Sequence, residues 1–240
     1  MVVGYLKEIT RYPVKSMNGQ KVHETKIMNY GLYGDRSHAY QDLTREDKFL
    51  TITQFPKMAQ YRAAFRSAEC ESSFPLVEIT TPEGQQYEWN DPSLLKELEQ
   101  RCERNIKPIH FKPTHVPFGA IEEEHILIVN EKSVQALENL WGEKIDYVRF
   151  RPNLLVSFNE KPYFEETMLG KRVKIGQEVE LEILRHCERC MIVNVDPDTG
   201  EISHSLLKTV VKERRNHFGV YARVISTGLI KAGDEVTLLD

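Results

Sequence analysis

The segment densest in reactive groups is His186-Cys187-Glu188-Arg189-Cys190. Two cysteines three positions apart, flanked by Arg185, His186 and Arg189, admit four readings. A structural zinc site needs two more thiolates or imidazoles, usually as a second close pair; Cys70 and Cys102 stand alone, far apart in the chain. A dithiol redox pair normally sits at a strand-to-helix turn of a βαβ unit, a pattern this region lacks. A single thiolate can instead be the protein's ligand to a soft metal. Neighbouring cations favour its deprotonation, and sulfur is the donor such metals prefer. The fourth reading is two small buried side chains. Spacing alone does not choose among them.

Three other segments offer cations. Arg11-Tyr12-Pro13-Val14-Lys15-Ser16 ends the first predicted strand with a lysine and a hydroxyl beside a rigid proline. Such a pair can bind phosphate or carboxylate, or it is a solvated loop. Gly34-Asp35-Arg36 sets an arginine directly after a glycine turn. Arg149-Phe150-Arg151-Pro152-Asn153 reads as a strand with both arginines on one face, because residues two apart point the same way. Like charges sharing a face repel unless an anion or carboxylates lie between them, so the pair points either to an anion site or to a surface ladder of ion pairs.

These residues need a frame. The chain has 240 residues, 40% hydrophobic and 28% charged, with a net charge of −4. That is ordinary for a globular protein and argues against nonspecific nucleic-acid binding. No run approaches the roughly 18 apolar residues of a membrane span, and the alternating start Met1-Val2-Val3-Gly4-Tyr5 is not a signal peptide. Four cysteines do not make a disulfide scaffold, so a cytoplasmic setting with no membrane partner is expected.

Period-two segments predict strands at 2–9, 22–28, 37–41, 59–65 and 76–80. Later strands are predicted at 147–150, 154–158, 172–175, 178–184, 191–195, 219–225 and 235–239. Asp91 and Pro92 open a helix as cap and first-turn proline. Further helices are expected after Asn130, with Leu140 and Trp141 facing inward, and over 205–214, with Val211 inward. Pro113, Pro117 and Gly119 mark the best boundary, giving expected units 1–115 and 116–240. Many short strands with few helices predict a mainly β (α+β) protein, a barrel or sandwich.

Taken in order, these segments resemble the MOSC superfamily. Tyr12-Pro13-Val14-Lys15-Ser16 and Gly31-Leu32-Tyr33-Gly34-Asp35-Arg36 are similar to the N-terminal β domain that precedes MOSC domains. Arg149–Asn153, Cys187-Glu188-Arg189-Cys190, Asp196–Gly200, Phe218–Tyr221 and Ile230–Asp234 are similar to the MOSC domain itself, with the spacing of the amidoxime-reducing branch. The resemblance implies a β-barrel MOSC domain after a smaller β domain, and a molybdenum cofactor whose pterin carries a phosphate tail. By position, Cys190 becomes the metal ligand and catalytic residue. Lys15, Ser16, Arg36 and Arg151 hold phosphate and pterin, with Asn153, Arg189 and Tyr221 nearby. Cys187 is expected to pack or hydrogen-bond, and Asp196–Gly200 to be a turn.

Asn194 stands where relatives carry threonine, and Glu122-Glu123-Glu124-His125 replaces a segment of the pocket rim, which leaves a proton-transfer role for Glu122 or Asp196 open. The implied activity is reduction of N-hydroxylated compounds such as hydroxylamines, amidoximes and N-hydroxylated bases. With no redox module read in the chain, a separate ferredoxin, flavodoxin or cytochrome-type donor is expected. The alternative is a carrier that delivers the cofactor, or sulfur, to other enzymes. Pyridoxal phosphate binding attaches to the resemblance only at superfamily level.

Overall fold

The computed structural model describes residues 1–121 and 123–239. The chain opens with β1 (Val2–Arg11), β2 (Gln20–Val22), β3 (Glu24–Met28), β4 (Gly31–Leu32) and β5 (His38–Asp42). There follow β6 (Arg62–Phe65), β7 (Val77–Thr80), β8 (Gln86–Glu88), α1 (Pro92–Cys102) and β9 (Ile106–His110). Next come α2 (Phe118–Ile121), β10 (Ile126–Asn130), α3 (Glu131–Trp141), β11 (Leu154–Phe158) and β12 (Arg172–Ile175). The chain closes with β13 (Val179–Glu188), α4 (Ser205–Arg214), β14 (His217–Ser226), β15 (Gly228–Lys231) and β16 (Glu235–Leu239). The mainly β expectation holds.

Seven strands run in the order β11-β10-β14-β13-β12-β16-β1 and close on themselves, because β1 also pairs with β11. Closure leaves no row of unpaired backbone groups, and strand alternation divides the side chains between interior and exterior. Ile126 and Ile128 of β10 point into the barrel beside Leu154, Val156, Val220 and Ala222. Leu127 and Val129 point outward, beneath Leu137 of α3 and Leu206 and Val210 of α4. All of β10 is therefore buried, as in a strand covered on both faces. The other core lies between the β5–β9 pair, the β6-β7-β8 sheet and α1, around Tyr40, Tyr61, Trp89, Leu94 and Leu98. Asp91 caps α1 by accepting from the Ser93 N–H at 2.7 Å, and Asn130 caps α3 by accepting from the Lys132 N–H. No helix among the described residues is long and apolar enough to cross a membrane.

Several expectations need correction. Residues 147–150 form a 3₁₀ turn, not a strand, started by the Asp146 carboxylate accepting from the Val148 N–H. Arg151 then takes a left-handed φ of 54°, so Arg149 and Arg151 do not share a strand face. Residues 191–194 are also a 3₁₀ turn, as are 56–60 ahead of β6. The 22–28 segment breaks at His23 into β2 and β3. Leu140 and Val211 are about half exposed, because the buried stripe on each helix is narrower than the apolar run. Strands β9 and β10 lay outside the prediction. Pro108 interrupts the alternation of β9, and a uniformly apolar strand like β10 has no period to read.

Candidate functional site

The end of β1 organises the cationic groups. The Tyr12 N–H donates to the Asp35 carboxylate at 2.7 Å, and its carbonyl accepts from the Arg36 N–H at 2.7 Å. Asp35 in turn pairs with the Arg36 guanidinium. Gly34 before this pair has φ +71°, and a Cβ there would lie 2.4 Å from the Phe65 ring. Only glycine fits a left-handed turn packed this closely. Arg36 itself has φ 50°, unusual for a side chain of its size. On the other side, the Tyr12 hydroxyl donates to the Pro152 carbonyl at 3.1 Å, next to left-handed Arg151. The guanidinium groups of Arg36 and Arg151 both lie over the Tyr12 ring, at 4.8 and 4.3 Å from its centre.

Asn153 ties this corner to the barrel. Its side chain accepts from the Leu127 N–H at 3.0 Å, and its own N–H donates to the Leu127 carbonyl. Its backbone carbonyl accepts from the Thr10 N–H at 2.9 Å.

The sulfurs come from the end of β13. Cys187 is buried against Leu127, Phe150 and Phe218. The Arg189 guanidinium donates to its sulfur at 2.6 Å and to the Phe150 carbonyl at 2.8 Å. The Nε of Arg189 is buried with no hydrogen-bond partner. Burial opposes the charge of Arg189, but Cys187 and Tyr221 outweigh it and hold the group above its ordinary range. Cys190, three residues on, is exposed and heads the 191–194 turn. Cys187 thus packs and hydrogen-bonds, while Cys190 presents its thiol.

Arg36, Arg151, Asn153, Arg189, Cys190 and Tyr221 line one cleft, which encloses about 510 Å³ counted to its mouth. Glu124 and Glu188 lie on the same wall. Arg185 pairs with Glu123 and Glu124 and lies over the Tyr221 ring. Lys15 and Ser16 do not line the cleft. Lys15 is buried and donates to the Ala120 carbonyl at 3.0 Å, one residue before Ile121, which lines the wall; Ser16 is buried with φ 70°. Glu122 lies outside the described residues.

Asp196 also stands outside the lining residues. It accepts from the N–H groups of Asp198 and Thr199 and pairs with Arg149. Asn194 is buried and accepts from the Leu207 N–H at 3.0 Å, satisfying the first turn of α4, whose His204 makes no side-chain cap. Among the residues that sequence reasoning left without a role are Glu188, on the cleft wall, and Tyr12. The latter was visible only as part of a motif, since no spacing rule marks a ring that gathers arginines from two distant segments.

What the cleft can hold follows from its donors. No group of three or more His, Cys, Asp or Glu side chains that could hold a metal exists among the described residues. A metal held through Cys190 beside a dithiolene pterin would take most of its ligands from the pterin. The three arginines and the unpartnered Arg189 Nε suit an anionic group with acceptor atoms. The donor set fits a phosphorylated, metal-bearing cofactor.

Comparison with known proteins identifies the family. Residues 106–237 match the family model "MOSC domain", and residues 3–102 match "MOSC N-terminal beta barrel domain". The human mitochondrial amidoxime-reducing component 1 is 25% identical, over 99% of this chain and 83% of that protein. The Arabidopsis thaliana molybdenum cofactor sulfurase is 26% identical over 88% of this chain, which spans 31% of that longer protein. The solved structure of the YUAD protein from Bacillus subtilis superimposes with a TM-score of 0.52 at 14% identity, over 97% of this chain and 93% of that one.

Proposed function

The chain belongs to the MOSC family, and from that premise we propose that it is a molybdenum-cofactor-dependent oxidoreductase acting on N-hydroxylated compounds. One observation carries the reading: an exposed thiol, Cys190, shares a cleft with three arginines from three separate segments. Cys190 would supply the protein's ligand to the metal. Arg36, Arg151 and Arg189 would hold the anionic tail, with Asn153 and Tyr221 completing the wall. Similarity to the amidoxime-reducing components supports the N-hydroxylated substrate class. When bound, the cofactor supplies two-electron oxygen-transfer chemistry that no side chain of this protein can perform.

The chain's own part is binding, orientation and protons. Reducing an N–OH group to N–H releases water and consumes two electrons and two protons. The electrons come from a separate redox protein. Glu188, on the cleft wall, makes no side-chain hydrogen bond among the described residues, so its carboxylate is available to carry a proton. Glu124 is engaged with Arg185. Arg189 holds Cys187 back in the wall and leaves Cys190 as the thiol facing the cleft.

The test is Cys190→Ala made in a molybdenum-replete host, assayed with an aryl amidoxime and an artificial electron donor. Wild-type protein is expected to contain molybdenum and turn over, and the variant to lose turnover while remaining folded. Full activity in Cys190→Ala would end the assignment. A carrier role is the second reading, favoured by the similarity to molybdenum cofactor sulfurases. A carrier would give up its cofactor to an apo-enzyme and show no turnover, whereas an enzyme would retain it through gel filtration.

A further inference from the structure

We propose that Tyr12 is the positioning residue of the anion site, its buried ring fixing the guanidinium groups of Arg36 and Arg151 at the cleft. The inference rests on the reading above, in which those arginines hold an anionic tail. Both groups lie over one ring, so neither can be further from the other than the sum of its 4.8 and 4.3 Å distances. Two like charges this close, on residues buried to 3% and 8% exposure, repel. The Asp35 carboxylate, paired with Arg36, offsets part of that cost, and the negative face of the aromatic ring beneath both guanidinium groups offsets more.

Tyr12 is also the joint between the two segments that carry the arginines. Its N–H and carbonyl are bonded to Asp35 and Arg36, and its hydroxyl to Pro152. Arg36 and Arg151 both have left-handed backbones, a conformation that persists in a non-glycine residue only where the surroundings hold it. Tyr12 has no exposed surface, and burial raises its phenol above the ordinary range despite the two arginines. The hydroxyl thus stays a neutral donor while the ring stays an uncharged π face.

The experiment has two arms. In the folded, cofactor-free protein, NMR should show the side-chain protons of Arg36 and Arg151 shifted upfield by the ring current of Tyr12, a measurement that needs no variant. In the second arm, inorganic phosphate is titrated against wild type, Tyr12→Phe and Tyr12→Leu, following the arginine Nε resonances and the thermal midpoint together. Tyr12→Phe keeps the ring and should bind within about threefold of wild type. Tyr12→Leu loses both cation–π contacts and should bind roughly tenfold more weakly or worse. Arginine protons at their unshifted positions would overturn the proposal, as would a folded Tyr12→Leu protein with wild-type affinity. Should Tyr12→Leu fail to fold, the ring-current arm and a Tyr12→Phe protein that loses phosphate as fully as a ring deletion decide against it in the same way. Phosphate binding to wild type that is indifferent to Tyr12 sinks only the positioning role. No binding to wild type sinks the anion-site reading and this proposal with it.

Discussion

Two clefts back onto the short stretch from Gly34 to His38, and the larger is the less reactive. The second cleft encloses about 970 Å³ and is lined by His38, Phe74, Trp89, His110 and Phe111, with Lys112 among them. Its rings satisfy one another: His38 meets Trp89 edge-on at 4.8 Å and stacks with His110 at 5.8 Å. Burial, then the neighbouring His110, pushes His38 down to about 3, so it is neutral at physiological pH. In the Cys190 cleft, arginines two and three segments apart are brought to one wall with a thiol, on strained backbone. Residue 36 faces one space and residue 38 the other. Volume records where packing is loose, whereas converging charge records where the fold has spent stability on binding.

The sharpest way to break this contrast is to compare the two cysteines of the same motif. Cys190 opens to the cleft and Cys187 lies behind its wall. The exposed Cys70 must first be replaced by serine. Hydrogen bonds from the Ser72 hydroxyl and from the backbone of residues 72 and 73 pull its thiol down to about 7, so it would react first. In the Cys70→Ser protein, iodoacetamide should label Cys190 at least about a hundredfold faster than Cys187, which is reached only through local opening. Peptide mass spectrometry over a time course reads the ratio. Equal rates would mean that the wall does not separate the two sulfurs.

The aromatic cleft makes its own prediction through His38. Its folded value of about 3 lies below the 6.5 of an unperturbed histidine, so between those limits the unfolded chain binds the extra proton. The contribution is fully present above pH 6.5 and is lost as the pH falls towards 3, with a limiting slope of about 1.4 kcal/mol per pH unit. Urea midpoints at pH 7, 6 and 5 should therefore fall less steeply in His38→Phe than in wild type. Identical slopes would show that His38 is not held neutral, and the description of this cleft as a space whose rings satisfy one another would fail.

The same contrast explains what could be read from the chain before its structure. Period and caps are local, so β12, β16 and α4 were legible to the residue, as were the start of α1 with its cap Asp91 and the start of α3 after Asn130. The reactive types were legible as well, because a thiol among cations and arginines near glycine turns are visible one segment at a time. What could not be read is convergence. Arg149 and Arg151 look equivalent on an assumed strand, yet Asp146 starts a 3₁₀ turn there, and only Arg151 lines the Cys190 cleft while Arg149 pairs with Asp196. Lys15 and Arg36 look like two parts of one phosphate clamp, yet Lys15 reaches the backbone behind the wall. Asn194 looks like a pocket residue, yet α4 lacks a cap of its own and takes the amide. In the first case a local cap replaces the assumed strand, and in the other two a hydrogen bond to a later segment takes the side chain; no periodicity encodes either.

The smallest expected effect tests that divergence directly. Arg149 pairs with Asp196, which also clamps the N–H groups of Asp198 and Thr199. Burial works against the Asp196 charge, but those N–H groups and Arg149 outweigh it and hold the carboxyl below its usual range. Because the pair is partly open to solvent, Arg149→Ala should cost only about 1 kcal/mol of stability, and phosphate binding should be unchanged. Arg151→Ala, two residues on, should act mainly on the other quantity: phosphate affinity falls, and by more than stability does. Urea unfolding and phosphate titration on the same two variants give the four numbers needed. If both arginines moved both quantities alike, they would form one structural ladder, and the turn at 147–150 would not divide binding from support.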